Sequence, residues 1–272
     1  MNWLRYKVQS HPWLRAMLRR LRTHWTPETA STELVALQGS GAYATALALR
    51  DSWQDTSIPQ RQRRLVDAEL DAYRAGRPIP AFDTLVQMLR NVTHTNGEDT
   101  LLEIGCASGH YAEVMRIQGL RVQYVGCDYS QAFIDLARQR LPALRFDTED
   151  ATALGYGDAA FDIVVSGCCL LHIPQYAAAI AETARVARRF AVFHRTPVLH
   201  SQPTRIFTKK AYNVRTVEIH FNEQELVRLF ALHRLRVVDI GTISCDWRDA
   251  DAVAVKTYLC EKAGPAATEV SR

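Results

Sequence analysis

A chain of 272 residues with 47% hydrophobic and 23% charged residues can bury one large core, and no run of about 18 apolar residues exists to span a membrane. The net charge of +4 is uneven: residues 1–25 carry Arg5, Lys7, Arg15, Arg19, Arg20 and Arg22 and no acid, so the remainder is net −2. That excludes a broadly basic, nucleic-acid-binding body. None of the six cysteines forms a C-x-x-C pair, which argues against a metal site and for reduced thiols packed as small hydrophobes.

Residues 1–25 are expected to form a basic amphipathic leader helix, with Trp13, Leu14, Met17, Leu18, Leu21 and Trp25 along one face. Two readings stand for it: docking on the body or on a second subunit, or peripheral contact with an anionic membrane surface. No short apolar stretch with a small-residue cleavage site follows, so a cytoplasmic location is expected, with the leader allowing contact with the inner membrane face. Oligomeric state is not readable.

Residues 26–98 are expected as a helical extension. One helix begins near Ser57 and Pro59 and ends at Gly76, with Leu65, Val66, Leu70 and Tyr73 as its stripe. A second runs through "AFDTLVQMLRNV". From residue 99 to 262 short apolar runs ("TLLEIG", "VQYVGCD", "LRFD", "FDIVVSG", "FAVFHR") alternate with helical segments ("HYAEVMRIQG", "SQAFIDLARQRL", "YAAAIAETARVARR"). Such alternation predicts an α/β domain: a doubly wound, mostly parallel seven-stranded sheet with helices on both faces. Residues 196–221 are expected as a long loop, Asn222 and Glu225 as a capping box, "RLRVVDIG" and "AVAVKTYLCEK" as the last strands, and 263–272 as a frayed tail.

The strongest local signal is "LLEIGCASGHY". An apolar strand ends at Glu103, Gly105 and Gly109 allow a tight turn and close backbone approach, and a helix start follows with free amides. The dinucleotide fingerprint is excluded, because it needs glycines where Ala107 and His110 stand. The stretch is instead similar to the E/D-x-G-x-G-x-G motif of class I S-adenosylmethionine-dependent methyltransferases, Rossmann-like domains of the type 11/25 kind, with Ala107 replacing the middle glycine. "YVGCDYS" ends a strand at Asp128, where an acid of a doubly wound fold meets ribose hydroxyls. The resemblance implies S-adenosyl-L-methionine as cofactor, held by Glu103, Gly105, Ser108, Gly109, Asp128, Tyr129, Asp150 and Ala151. In it Glu103 lies near the methionine amino group, and Asp150 accepts from the adenine amine.

The acceptor is less readable. "VVSGCCLLHIP" lacks the D/N-P-P-Y/F sequence of many amino-methyltransferases. Cys168 and Cys169 raise thiolate chemistry, which needs a lowered thiol pKa and, for cytosine methylation, a basic surface that the body lacks. His172 either acts as general base on a hydroxyl or only packs. The 196–221 segment carries Arg205, Lys209, Lys210, Tyr212, Arg215 and His220 as candidate contacts to an anionic acceptor, or else is a solvated charge run with a structural hairpin. His194 and Arg195 end the strand "FAVFHR" at the edge where ligands bind, their side chains expected on opposite faces. Arg195 in the cleft favours an acceptor carboxylate or phosphate, and His194 there favours a base. The first reading is O-methylation of a small-molecule or glycan- or lipid-linked acceptor. Alternatives are N- or C-methylation of another small molecule, and a non-catalytic binding scaffold of the same fold.

Overall fold

A computed structural model describes residues 34–245 and 252–263. The leader 1–25 and residues 264–272 of the tail lie outside the described residues. The described part of the extension begins with a two-residue strand β1 (Val35–Ala36), then α1 (Ala42–Ala48) and a 3₁₀ turn (Arg50–Gln54). Helix α2 (Ile58–Arg74) has Pro59 in its first turn and Ser57 at its N-cap, where the Ser57 side chain makes no cap bond and instead donates to Asp55 Oδ1 at 2.6 Å, which also accepts from Ser57 N at 2.8 Å. Helix α3 is Pro80–Arg90.

The α/β body then runs β2 (Thr100–Ile104), α4 (His110–Ile117), β3 (Gln123–Asp128), α5 (Gln131–Arg140), β4 (Arg145–Thr148), β5 (Phe161–Gly167), a 3₁₀ turn (Leu170–His172), α6 (Tyr176–Val186), β6 (Ala187–Leu199), β7 (Arg205–Ala211), β8 (Val214–Asn222), α7 (Glu223–Leu232), β9 (Leu235–Ser244) and β10 (Ala254–Lys262). The expected helix through Arg189 stops at Val186, because Ala187 already pairs with Phe161 of β5. Half of the predicted capping box forms: Asn222 Oδ1 accepts from Glu225 N at 2.9 Å, whereas Asn222 N donates to Thr204 Oγ1 and the Glu225 carboxylate accepts from the Thr204 hydroxyl.

Seven strands build the expected mostly parallel layer. β4, β3, β2, β5 and β6 are parallel neighbours, and β10 pairs antiparallel with both β6 and β9. Consecutive strand residues are buried on opposite faces: Leu102, Val164 and Phe193 pack on one side, Leu101, Val165 and Val192 on the other. This is why the strands read as continuous apolar runs. Helices α6 and α7 cover the first face, where Phe193 stacks on Phe230 with ring centres 4.3 Å apart. Helices α2 to α5 contribute to the second.

Residues 196–221 are not a loop. The end of β6 continues to Leu199, and β7 and β8 form an antiparallel hairpin closed by Tyr212 and Asn213. Both turn residues have positive φ, 50° and 70°, the backbone of a two-residue hairpin turn whose twist matches the strands. β8 joins the end of β6 through Val198 and Leu199, and β1 adds to the far edge through β7.

Candidate functional site

A cavity of about 1070 Å³ opens at the carboxyl ends of β2, β3, β5 and β6, between the sheet, α2, the 50–54 turn and the hairpin. One half is built by the strand ends. Gly105 has φ +71°, and a β-carbon there would sit 2.4 Å from Cys169 Cβ, so only glycine lets the loop pass. Asp128 lines the wall and accepts from Ala107 N (3.1 Å) and Ser130 N (2.9 Å). Burial pushes its carboxyl up to about 6, and backbone donors oppose that rise. Tyr129, Asp150 and Ala151 share this half. The Tyr129 hydroxyl donates to Arg50 O at 2.8 Å, and Arg50 forms an ion pair with Asp150, whose other oxygen accepts from Thr152 N at 2.9 Å. The N-terminal extension therefore closes over the end of the cleft.

Three predicted residues stand behind this wall rather than on it. Glu103 is fully buried, with Oε2 accepting from the Tyr124 hydroxyl at 2.5 Å and Oε1 without a partner behind Gly167. Burial raises its carboxyl to about 8. Ser108 faces Arg63 of α2, and Gly109, at φ +77°, lies against Leu141 and Phe146.

The other half of the cavity is lined by Trp53, Tyr111, His172, Arg195, Lys209, Tyr212 and Glu218 among others. His172 Nδ1 lies 2.7 Å from the Val217 carbonyl oxygen. A carbonyl only accepts, so Nδ1 carries the proton and Nε2 keeps a lone pair. Burial lowers the imidazole to about 4, with Lys209 acting in the same direction, so the ring is neutral near pH 7. The ring packs on Trp53, 4.6 Å between centres, and Trp53 meets Tyr212 edge-on. Lys209 pairs with Glu218, which also accepts from His220 Nε2 at 2.9 Å; burial would raise Glu218, but these partners hold it at about 2.

His194 and Arg195 separate as expected. Arg195 lines the cavity, while His194 is buried, with Nδ1 2.9 Å from Thr257 Oγ1 and its ring edge-on to Tyr111. Of the six basic or aromatic residues singled out in 196–221, Lys209 and Tyr212 line the cavity. Arg205 lies over Phe207 instead.

Residues 102–193 match a family model described as a methyltransferase domain. This segment is a class I methyltransferase domain. The match covers the glycine loop, Asp128, Asp150 and the strand up to Phe193, and S-adenosylmethionine is the cofactor of that family. The chain is similar to demethylmenaquinone methyltransferase of Deinococcus radiodurans, 32% identical over 90 residues, covering 32% of this chain and 37% of the relative. It is also similar to malonyl-acyl-carrier-protein O-methyltransferase of Serratia marcescens, 33% identical over 90 residues, covering 33% and 34%. The chain thus spans little over a third of the length of these curated relatives. In fold it is similar to the 1,6-didemethyltoxoflavin-N1-methyltransferase of Burkholderia thailandensis, with TM-score 0.53 and 17% identity over 87% of this chain and all of that one. A methyltransferase of Methanosarcina mazei gives TM-score 0.52 and 18% identity over 64% of this chain and 96% of that one.

The methyltransferase domain fits its family's cofactor on the residues present. The close passage at Gly105 leaves room for a ligand against backbone, and Asp128 places acceptor oxygens on the wall. The volume lies just above the usual range of about 300–1,000 Å³ for ligand sites, which leaves room for a second molecule. Outside the matched segment, sequence reasoning missed Arg50, Trp53 and Glu218. Trp53 sits in a polar stretch without periodicity, and an aromatic residue there was the available signal. Among the described residues, no group of three or more His, Cys, Asp or Glu is placed to hold a metal ion, and no helix is long and apolar enough to cross a membrane.

Proposed function

We propose that the chain transfers the methyl group of S-adenosylmethionine to an oxygen of a small-molecule acceptor, free or carried on a glycan or lipid. The cofactor supplies a methyl group that is already electrophilic, so the protein's tasks are to align the acceptor, exclude water and hold one proton. Gly105, Asp128, Tyr129, Asp150 and Ala151 are the residues to hold the cofactor, with Glu103, Ser108 and Gly109 shaping the loop from behind.

The observation that carries the reading is His172. Its Nδ1–H is committed to Val217 O, its ring is neutral, and it lines the half of the cavity away from Asp128. Nε2 is thereby available to take a hydroxyl proton as the oxygen acquires the methyl group. Cysteine chemistry is disfavoured, because burial pushes the Cys169 thiol up to about 12, opposite to what a nucleophilic thiolate needs.

The test incubates the full-length chain with S-adenosylmethionine and a small-molecule extract, and follows acceptors gaining one methyl group by mass spectrometry. An O-methyl product whose formation collapses in His172→Ala supports the reading. A product methylated on nitrogen or carbon, or none from any extract, contradicts it.

A further inference from the structure

A β-bulge in β6 turns one arginine into the cavity. Between the pairs Phe193↔Tyr258 and Thr196↔Lys256, β6 has two residues, His194 and Arg195, where β10 has only Thr257. Arg195 takes φ +55°, a left-handed backbone that a side-chain-bearing residue adopts only when its surroundings enforce it. Bulges re-aim side chains, and here the two residues part: His194 bonds Thr257 in the interior, and Arg195 enters the cavity.

There its charge is uncommitted. Of the cations on the cavity wall, Arg50 pairs with Asp150 and Lys209 with Glu218. Among the described residues, no carboxylate lies within ion-pair distance of Arg195. Its guanidinium has the Cys168 thiol and the Tyr111 hydroxyl as neighbours, with the Glu69 carboxylate acting on it from beyond ion-pair distance, and the buried Tyr111 O–H has no acceptor. A guanidinium fork and a phenol proton thus converge on one region with no carboxylate of the described residues within ion-pair distance. Such a cluster, open to the cavity at Arg195, can take an anionic oxygen group from the ligand.

We infer that Arg195, with Tyr111, anchors a carboxylate of the methyl acceptor. This rests on the proposed reading of the cavity as a methyltransfer site and names its substrate class. Among the described residues of the wall, a single uncommitted cation matches a monoanion. A phosphate dianion would meet the Glu69 and Glu218 carboxylates on the same wall without a second free cation. Trp53, Tyr212 and Leu65 line the same cavity and give an apolar wall for a body behind the carboxylate. Arg195 would then select the acceptor by charge while His172 serves the hydroxyl.

The full-length chain is titrated by calorimetry with S-adenosylhomocysteine, and the loaded protein then with benzoate, benzamide and phenyl phosphate. Benzoate is expected to bind at least about ten-fold more tightly than either other probe, as a charge-assisted fork predicts. Arg195→Gln should bring benzoate down to the level of benzamide, and Arg195→Lys should retain part of the difference. Both variants should keep the parent's affinity for S-adenosylhomocysteine. Equal binding of benzoate and benzamide, no binding of either, tighter binding of phenyl phosphate, or an Arg195→Gln variant equal to the parent overturns the inference. If Arg195→Gln loses S-adenosylhomocysteine binding, the comparison in the parent and in Arg195→Lys decides. Failure of the parent to bind S-adenosylhomocysteine strikes the methyltransfer reading instead; the same three probes on the unloaded chain then decide the anchor by itself.

Discussion

His172 donates from Nδ1 to the carbonyl oxygen of Val217 across 2.7 Å, which ties the ring to the β7–β8 hairpin as well as to its own turn after β5. The hairpin therefore sets the tautomer. His172→Ala is expected to lower turnover about 10²- to 10⁴-fold, the usual worth of a general base, with affinity for S-adenosylhomocysteine unchanged. The folded value of about 4 lies below the ordinary value, so the base form is present above pH 4. The base-dependent part of the rate should rise through pH 4 and be flat towards neutrality. A pH–rate profile at saturating S-adenosylmethionine, where the Asp128 dependence of cofactor affinity drops out, checks this, and a limb near 6.5 there would contradict His172 as the base.

Asp128 gives a second pH dependence, in cofactor affinity. Its carboxyl is raised to about 6, so it is ionised above that pH and protonated below it. Hydroxyl donors of a ribose favour the ionised form. Affinity for S-adenosylhomocysteine should therefore be full above pH 6 and weaken below it, approaching about ten-fold per pH unit. Asp128→Asn should bind weakly with a flat profile between pH 5 and about 7. Calorimetry across that range is the measurement.

Glu103 should make the chain less stable as pH rises. Its carboxyl is raised from 4.5 to about 8 by burial, so the folded state holds a proton that the unfolded chain releases above 4.5. The stabilisation is complete below 4.5 and is lost as pH climbs through 8. Glu103→Gln removes this dependence while all histidine contributions are shared with the parent. Relative to that variant, the parent should lose on the order of 1 kcal/mol per pH unit between pH 5 and 7.5 in urea unfolding.

Arg63 holds the extension to the glycine loop. It is buried in α2, 2.6 Å from Glu113 of α4 and 3.4 Å from Ser108 Oγ. Arg63→Ala leaves Glu113 with Arg74 as its remaining cation, a half-exposed side chain at 3.2 Å. The variant should lose about 3 kcal/mol, the cost of breaking a buried pair, read from the denaturation midpoint. It should also weaken cofactor binding, since the loop it braces carries Ala107 N, the donor to Asp128.

The strand–helix order of the body and the cofactor motifs were legible in the sequence, because fully buried parallel strands are continuous apolar runs and a glycine loop has few substitutes. The hairpin was legible only as the alternative to a long loop. Its two-residue turn uses Tyr212 and Asn213 instead of the glycine-bearing pairs that mark such turns, and its strands carry Lys209, Lys210 and Arg215 among the apolar positions. The bulge at Arg195 was invisible, since the extra residue is defined by pairing with β10, about sixty positions on. Ala107 reads as a lapse from the glycine pattern, yet the chain holds it at φ +48° with its N–H on Asp128, so the loop keeps the glycine conformation at some cost in strain. The acceptor half of the cavity comes from separate segments, Trp53, His172, Arg195 and Tyr212, which only the fold brings together.

Titration of the full-length chain with S-adenosylhomocysteine tests the central claim most directly. Saturable one-to-one binding that is lost in Asp128→Ala and kept in His172→Ala is the predicted result. Absence of binding in the parent, or binding unaffected by Asp128→Ala, would contradict the assignment of this cavity as the methyltransferase site.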